Sequence, residues 1–146
     1  IVSINNHYPE ISNGKDKEGN WLIDVKKLNK VISVKKDSST IFEGHVSHFL
    51  KGIEMTIVLR CNPKNLNERL KSRGYTKEKI KENMEAEALN IISEEAIEIC
   101  GEKNVFELDT TNRSMEDSVK NLKDIINGNI KSDKRIDYSE TIMDWY

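Results

Sequence analysis

Residues 55–63 read MTIVLRCNP, and no other stretch limits the possible folds as tightly. Met55 to Cys61 is an apolar run of strand length without polar alternation. Such a run reads as a strand covered on both faces, the environment of a parallel sheet. Asn62 and Pro63 follow at once. Asn is a good N-cap and Pro fits the first helical position, so the strand passes directly into a helix. A buried strand feeding a helix is the unit from which α/β folds with mostly parallel sheets are built.

The remaining segments repeat this grammar. IVSIN at 1–5 has the composition of a short strand. From His7 to Asn20 the chain is polar and carries the turn signals Pro9, Asn13-Gly14 and Gly19-Asn20. WLIDVKKLNKVI spaces Leu22, Val25, Leu28 and Val31 as a helix does, which predicts a short helix in its later part. STIFEG is the next predicted strand, with a helical turn in HVSHFL. After Pro63, Leu66 and Leu70 share one face of a helix that Gly74 closes. Thr76 then caps a longer helix, with Ile80, Met84, Ala88 and Ile91 on one side and Glu95 or Ile99 beyond, ended by Gly101. VFELDTT at 105–111 alternates as a strand. Ser114 and Asp117 resemble a capping box, opening a helix whose predicted buried stripe is Met115, Val119, Leu122 and Ile126. A charged tail from 131 to 146 contains Trp145.

Composition excludes several classes. With 146 residues the chain is long enough for one domain with a substantial core. A net charge of −2 gives no electrostatic case for general or sequence-specific nucleic-acid binding. No apolar run approaches the roughly 18 residues that span a bilayer. Cys61 and Cys100 lie far apart without metal-ligand spacing and read as reduced thiols, which fits a cytoplasmic protein. A zinc site at His45 and His48 would lack visible further ligands, and a nucleophilic Cys61 would stand at a buried strand end.

In parallel α/β sheets ligands bind beyond the carboxyl ends of the strands. That rule points to Glu43-Gly44-His45, Arg60-Cys61-Asn62 and Asp109-Thr110-Thr111. A carboxylate ending a strand before a glycine is the local context of a Walker B acid, able to hold Mg²⁺ directly or through water. Glu43 and His45 read equally well as a capping carboxylate and a solvent-facing histidine. In NERLKSRGYTKEKIKEN, residues 67–83, Arg69 and Arg73 lie four apart with Gly74 as a hinge. Arginine suits bidentate phosphate contacts and a glycine hinge suits a closing lid. The same segment also reads as a solvated charged face paired with Glu68, Glu78 and Glu82.

Taken together, FEGHVSHFL, TIVLRCNP, ERLKSRGYTKEKIKENMEAE and VFELDTTNRSMEDSV resemble, in order and spacing, the adenylate kinase isoenzyme 6 type of P-loop nucleotide kinase, its archaeal members above all. The resemblance covers nearly the whole chain. It implies a P-loop nucleoside monophosphate kinase-like parallel sheet flanked by helices, with a kinase domain at 1–130 and a tail at 131–146. It implies transfer of the γ-phosphoryl group of ATP to AMP with Mg²⁺, appreciable ATPase activity, and a part in small ribosomal subunit maturation through a ribosomal protein. By position, Glu43 and His45 match the Walker B-like acid and histidine, with Glu43 holding Mg²⁺. Residues of about 5–25 match the monophosphate-binding region, with Asn5 in it. Residues of about 72–82 match the lid, with Arg73 as its ATP-contacting arginine and Arg69 beside it. The alternatives are a non-catalytic or nucleotide-switched ribosome-assembly module, and a generic α/β domain without a nucleotide site.

Two departures stand out. Glu43 occupies a position where the family has Asp, so the carboxylate sits one methylene further out. No G-x-x-x-x-G-K-[ST] occurs anywhere, and the chain opens on Ile1-Val2-Ser3. The family's P-loop and first strand precede the strand that IVSIN resembles. The expectation is an N-terminally truncated sequence of a longer kinase. A chain lacking that central strand would be poorly folded or partner-dependent, and inactive without the phosphate cradle.

Overall fold

The computed structural model describes residues 9–17, 19, 21–32, 40–129 and 135–145. The predicted strand at 1–5 and Asn5 lie outside them. The chain divides into two compact units, Ile1–Glu54 and Met55–Tyr146.

In the first unit the turn-rich segment forms a hairpin. Strands β1 (Ser12–Lys15) and β2 (Trp21–Ile23) pair antiparallel, Ser12 opposite Ile23 and Lys15 opposite Trp21. Gly14 and Gly19, both at positive φ, supply the backbone that the irregular register and the turn require. Lys15 Nζ lies 4.6 Å from the Trp21 ring centroid, a cation–π contact across the ladder. Asp24 then caps helix α1 (Val25–Val31), accepting from the Lys26 and Lys27 amides at 2.9 and 3.0 Å. Ile11, Leu28 and Leu50 form the buried core, with Phe42, Val46 and Ile53 packed against it. Asn29 bonds the Phe49 carbonyl and accepts from the Lys51 amide, fixing 49–51 to α1. Residues 40–43 form no strand, contrary to the reading of STIFEG. Phe42 packs into the core of α1, and no described strand lies beside this segment to complete a ladder.

The second unit is the βαβ arrangement expected from MTIVLRCNP. Strands β3 (Thr56–Arg60) and β4 (Val105–Asp109) pair in parallel, in register from Thr56 opposite Val105 to Arg60 opposite Asp109. The crossover carries helices α2 (Pro63–Ser72), α3 (Lys77–Ala88) and α4 (Ile91–Cys100). Asn62 caps α2 with Pro63 in its first turn, and Thr76 caps α3. The end of α2 is a Schellman motif: Gly74 N–H reaches the Lys71 carbonyl and Tyr75 N–H the Leu70 carbonyl, with Gly74 at φ +75°. One long helix from Thr76 to Cys100 was expected, and the structure breaks it at Asn90, which adopts φ +57°.

The face of β3 carrying Val58 and Arg60 meets α4, where Val58, Ala96 and Val105 are buried together. Helix α5 (Met115–Ile126) packs on β4 and begins at the Ser114–Asp117 box. Here two expectations change. Leu59, on the face opposite Val58, is 57% exposed, so β3 is not covered on both sides in the described structure. Met115 is 79% exposed and Val119 and Ile126 are also exposed, while Ile125 takes the buried position. Helical periodicity located the apolar face, but α5 turns only its Ile125 edge into the core. The helical turn Ser139–Trp145 packs against α3. No described helix is long and apolar enough to cross a membrane.

Candidate functional site

The carboxyl ends of β3 and β4 are tied together by the loop 109–113. Thr110 donates its N–H (2.8 Å) and its hydroxyl (2.9 Å) to the Arg60 carbonyl, continuing the sheet past Asp109. Thr111 is the junction. Its hydroxyl donates to Asp109 Oδ1 and accepts from the Asn62 amide at 2.8 Å. The Tyr138 hydroxyl lies 3.2 Å from the same oxygen. A threonine hydroxyl has one proton and two lone pairs. Its proton goes to Asp109, so Tyr138 is the donor. Burial works to raise the Asp109 carboxyl, but bonds from the Thr111 side chain and backbone, with the nearby Tyr138 hydroxyl and the Arg113 charge, hold it below its ordinary value. Burial, with Asp109 close by, pushes the Tyr138 phenol up to about 12.

Beneath this junction sits Arg60, 1% exposed. Its guanidinium bonds Glu87 Oε1 (2.7 Å), Glu107 Oε1 (2.6 Å), Asn90 Oδ1, and the carbonyls of Glu87 and Ile136, both at 3.0 Å. The Tyr138 ring centroid is 5.5 Å from its central carbon. Burial opposes the charge, and Glu87 and Glu107 more than restore it, raising the Arg60 pKa. This cluster explains the broken helix. Asn90 tolerates the left-handed backbone better than most residues, and its side chain is held by Arg60. The strand-end rule points to Arg60 by position but assigns it no role of its own, and Glu107 did not stand out. A charge inside each of two strands, on the same sheet face, was the available signal.

Arg69 reaches the same loop from α2, donating to Thr110 Oγ1 (3.1 Å) and to the carbonyls of Thr110 (2.6 Å) and Thr111 (3.1 Å). Arg73 caps the end of α2 and is exposed, as are Gly74, Tyr75 and Thr76. Lys71 pairs with Glu68, Lys79 with Glu82 and Lys81 with Glu85 along this region. An open hollow of about 420 Å³ borders Lys64, Asn65, Glu68 and Arg69. Cys61 is buried beside the junction, and burial, with Glu87 and Asp109 adding to it, pushes its thiol up.

Glu43 and His45 belong to the first unit, at Gly44 with φ +141°, and both are exposed. Glu43 borders a cavity of about 20 Å³ together with Ile11, Leu28, Phe42 and Val46. That volume admits a water-sized group and no nucleotide. His48 is buried against Phe49, ring centroids 4.4 Å apart, while His45 faces outward. Among the described residues no three His, Cys, Asp or Glu side chains converge as a metal cluster. A lone exposed carboxylate still fits Mg²⁺, which keeps several waters and takes one or two carboxylates beside substrate phosphates.

Comparison with known proteins adds the following. A family model described as an AAA domain matches residues 5–90. A putative adenylate kinase of Archaeoglobus fulgidus is 42% identical over 130 residues, covering 89% of this chain and 68% of that protein. One from Thermococcus kodakarensis is 39% identical over 145 residues, covering 99% of this chain and 77% of that protein. One from Methanosarcina barkeri is 39% identical over 121 residues, covering 82% of this chain and 64% of that protein.

Proposed function

Since the chain belongs to the adenylate kinase-like P-loop nucleotide kinases, we propose that it serves transfer of the γ-phosphoryl group of ATP to AMP, with ATP hydrolysis as a side reaction. In this reading the turn Arg73-Gly74-Tyr75 is the lid tip. Arg73 brings a guanidinium to the ATP phosphates, where charge spreads in the transition state. Arg69 shapes the loop 109–113 that borders the nucleotide. Asn5 falls in the monophosphate-binding region of about 5–25, and the lid spans about 72–82. Glu43 would hold Mg²⁺ through water, and His45 would orient a phosphate or water beside it. Bound there, Mg²⁺ supplies neutralisation of the phosphate charge. The protein acts in the cytoplasm.

The observation that carries this reading is the exposed Arg73 on a glycine turn between two capped helices. A cation on such a turn is free to swing toward a ligand without breaking either helix. Arg73→Ala is expected to lower ATP turnover with Mg²⁺ and AMP by about 10²-fold. Unchanged turnover would remove Arg73 from the site.

A second role, in small ribosomal subunit maturation through contact with a ribosomal protein, is favoured by the exposed apolar row of Met115, Val119 and Ile126. Co-purification with a small-subunit ribosomal protein, lost in Val119→Glu, tests it. Retention of the partner by that variant sinks this surface.

A further inference from the structure

We propose that the C-terminal segment 135–142 is a strap that positions the nucleotide-facing loop 109–113 and the lid helix α3, with Tyr138 as its positioning residue. This inference rests on the kinase reading above. The segment is attached at three places along its length. Ile136 offers its N–H to Glu107 Oε2 at 2.6 Å and its carbonyl to Arg60 at 3.0 Å, so its backbone closes the strand-borne ion pair. Tyr138 lays its ring beside the Arg60 guanidinium and sends its hydroxyl to Thr111. The turn Ser139–Trp145 packs against α3, with Thr141 bonding back to the Tyr138 carbonyl at 2.6 Å.

These attachments converge on the parts that the reaction needs aligned. Arg60 holds the carbonyl and carboxylate of Glu87 and the amide oxygen of Asn90, so it grips the carboxyl end of α3. The amino end of α3 starts at the exposed lid turn. One end of the lid helix is therefore anchored beneath the strap, while its other end carries the exposed turn 73–76. Thr111 in turn touches Asp109 and Asn62, the exits of both strands. Tyr138 is the one tail side chain among the described residues that reaches both the Arg60 cluster and this junction. Its hydroxyl is taken up by Thr111, so its effect passes through Thr111 and the loop.

The Tyr138→Phe variant removes the hydroxyl and keeps the ring. We expect faster amide exchange at 110–113 and 86–90 in the ligand-free protein. Affinity for Mg²⁺–ATP, read by calorimetry, should fall about threefold to tenfold, while the melting temperature drops by only a few degrees. Val105→Ala, a core change at the far end of β4, is the control. It should lower the melting temperature and leave affinity unaltered, separating positioning from stability. Faster exchange with unaltered affinity overturns the proposal, because the strap would then be structural only. Weaker affinity with unaltered exchange also overturns it, since Tyr138 would be acting by direct contact. If the unsubstituted protein binds no Mg²⁺–ATP, the kinase reading fails. The exchange data then decide the strap alone, and unchanged rates at both segments reject it.

Discussion

Replacing Arg60 by leucine gives a sharp test of the buried cluster. The substitution keeps an apolar body in the core and removes a guanidinium that is 1% exposed. Two carboxylates lose their counter-charge. The Glu107 side chain is 3% exposed and bonded at 2.6 Å, so water cannot replace its partner. The Glu87 side chain, 15% exposed, still accepts the Cys61 amide at 3.0 Å and can be partly rehydrated. Breaking a buried pair by removing one member costs about 3–5 kcal/mol, most of it the stranded charge. Glu107 alone accounts for about 3 kcal/mol on that scale, and the lost bonds to Asn90 and Glu87 add about 1 kcal/mol. The expected loss is about 4 kcal/mol, read as a shift in urea midpoint at constant slope. The double variant Arg60→Leu/Glu107→Leu removes the stranded charge as well. It should recover about 2 kcal/mol, although the Ile136 amide then lacks its acceptor. A loss under about 1 kcal/mol for Arg60→Leu, or no recovery in the double variant, would refute the assignment of Arg60 as an obligatory counter-ion.

Three further outcomes follow from the same region. Thr111→Val keeps the shape of the side chain but strips the hydroxyl from Asn62, Asp109 and Tyr138, and should cost about 2 kcal/mol in thermal unfolding. Thr111→Ser, which keeps the hydroxyl, should lose well under half of that. Asn90→Gly relaxes a left-handed backbone yet forfeits a bond to the Arg60 charge, for a net loss of about 1 kcal/mol, whereas Asn90→Asp should be tolerated. The Tyr138 phenol, pushed up to about 12 from 10, favours the folded state while neutral. That contribution is fully present below pH 10 and is lost as pH rises through about 12. Unscreened, that change would correspond to about 3 kcal/mol, and solvent screening of a half-buried group reduces this to about 1 kcal/mol. Alkaline unfolding of Tyr138→Phe should lack this increment; identical pH profiles would contradict the environment described for the phenol.

What the sequence disclosed was local. Asn62-Pro63, Thr76, Gly74 and Gly101 mark helix ends because their physics lies within one turn of chain, and each stands where the sequence placed it. The break at Asn90 was hidden because the apolar period runs on through Ile91, and the force that breaks the helix comes from Arg60, 30 residues away. The segment 40–43 carries strand-like residues but has no strand partner among the described residues, and propensity alone makes no ladder. Arg69 and Arg73 look alike in the sequence. Their difference, one bonded to the Thr110–Thr111 loop and one exposed, depends on a partner 41 residues on. The Arg60–Glu107 pair was hard to read for the same reason: each charge is visible inside its strand, but their pairing joins residues 47 apart.

The register of β3 on β4 also orders events in folding. The Thr110–Arg60 bond that extends the sheet joins residues 50 apart in sequence. Contacts of that separation form late, because the intervening chain must first surrender its freedom. Helices α2, α3 and α4 close through local bonds, and their condensation shortens the path by which the two strands meet. Until they do, Ile57 to Leu59 and Val105 to Leu108 are naked strand edges, the part of an unfinished chain most prone to pair with a neighbour. Nascent chains of this protein are therefore most exposed to aggregation in the interval between synthesis of β3 and arrival of β4.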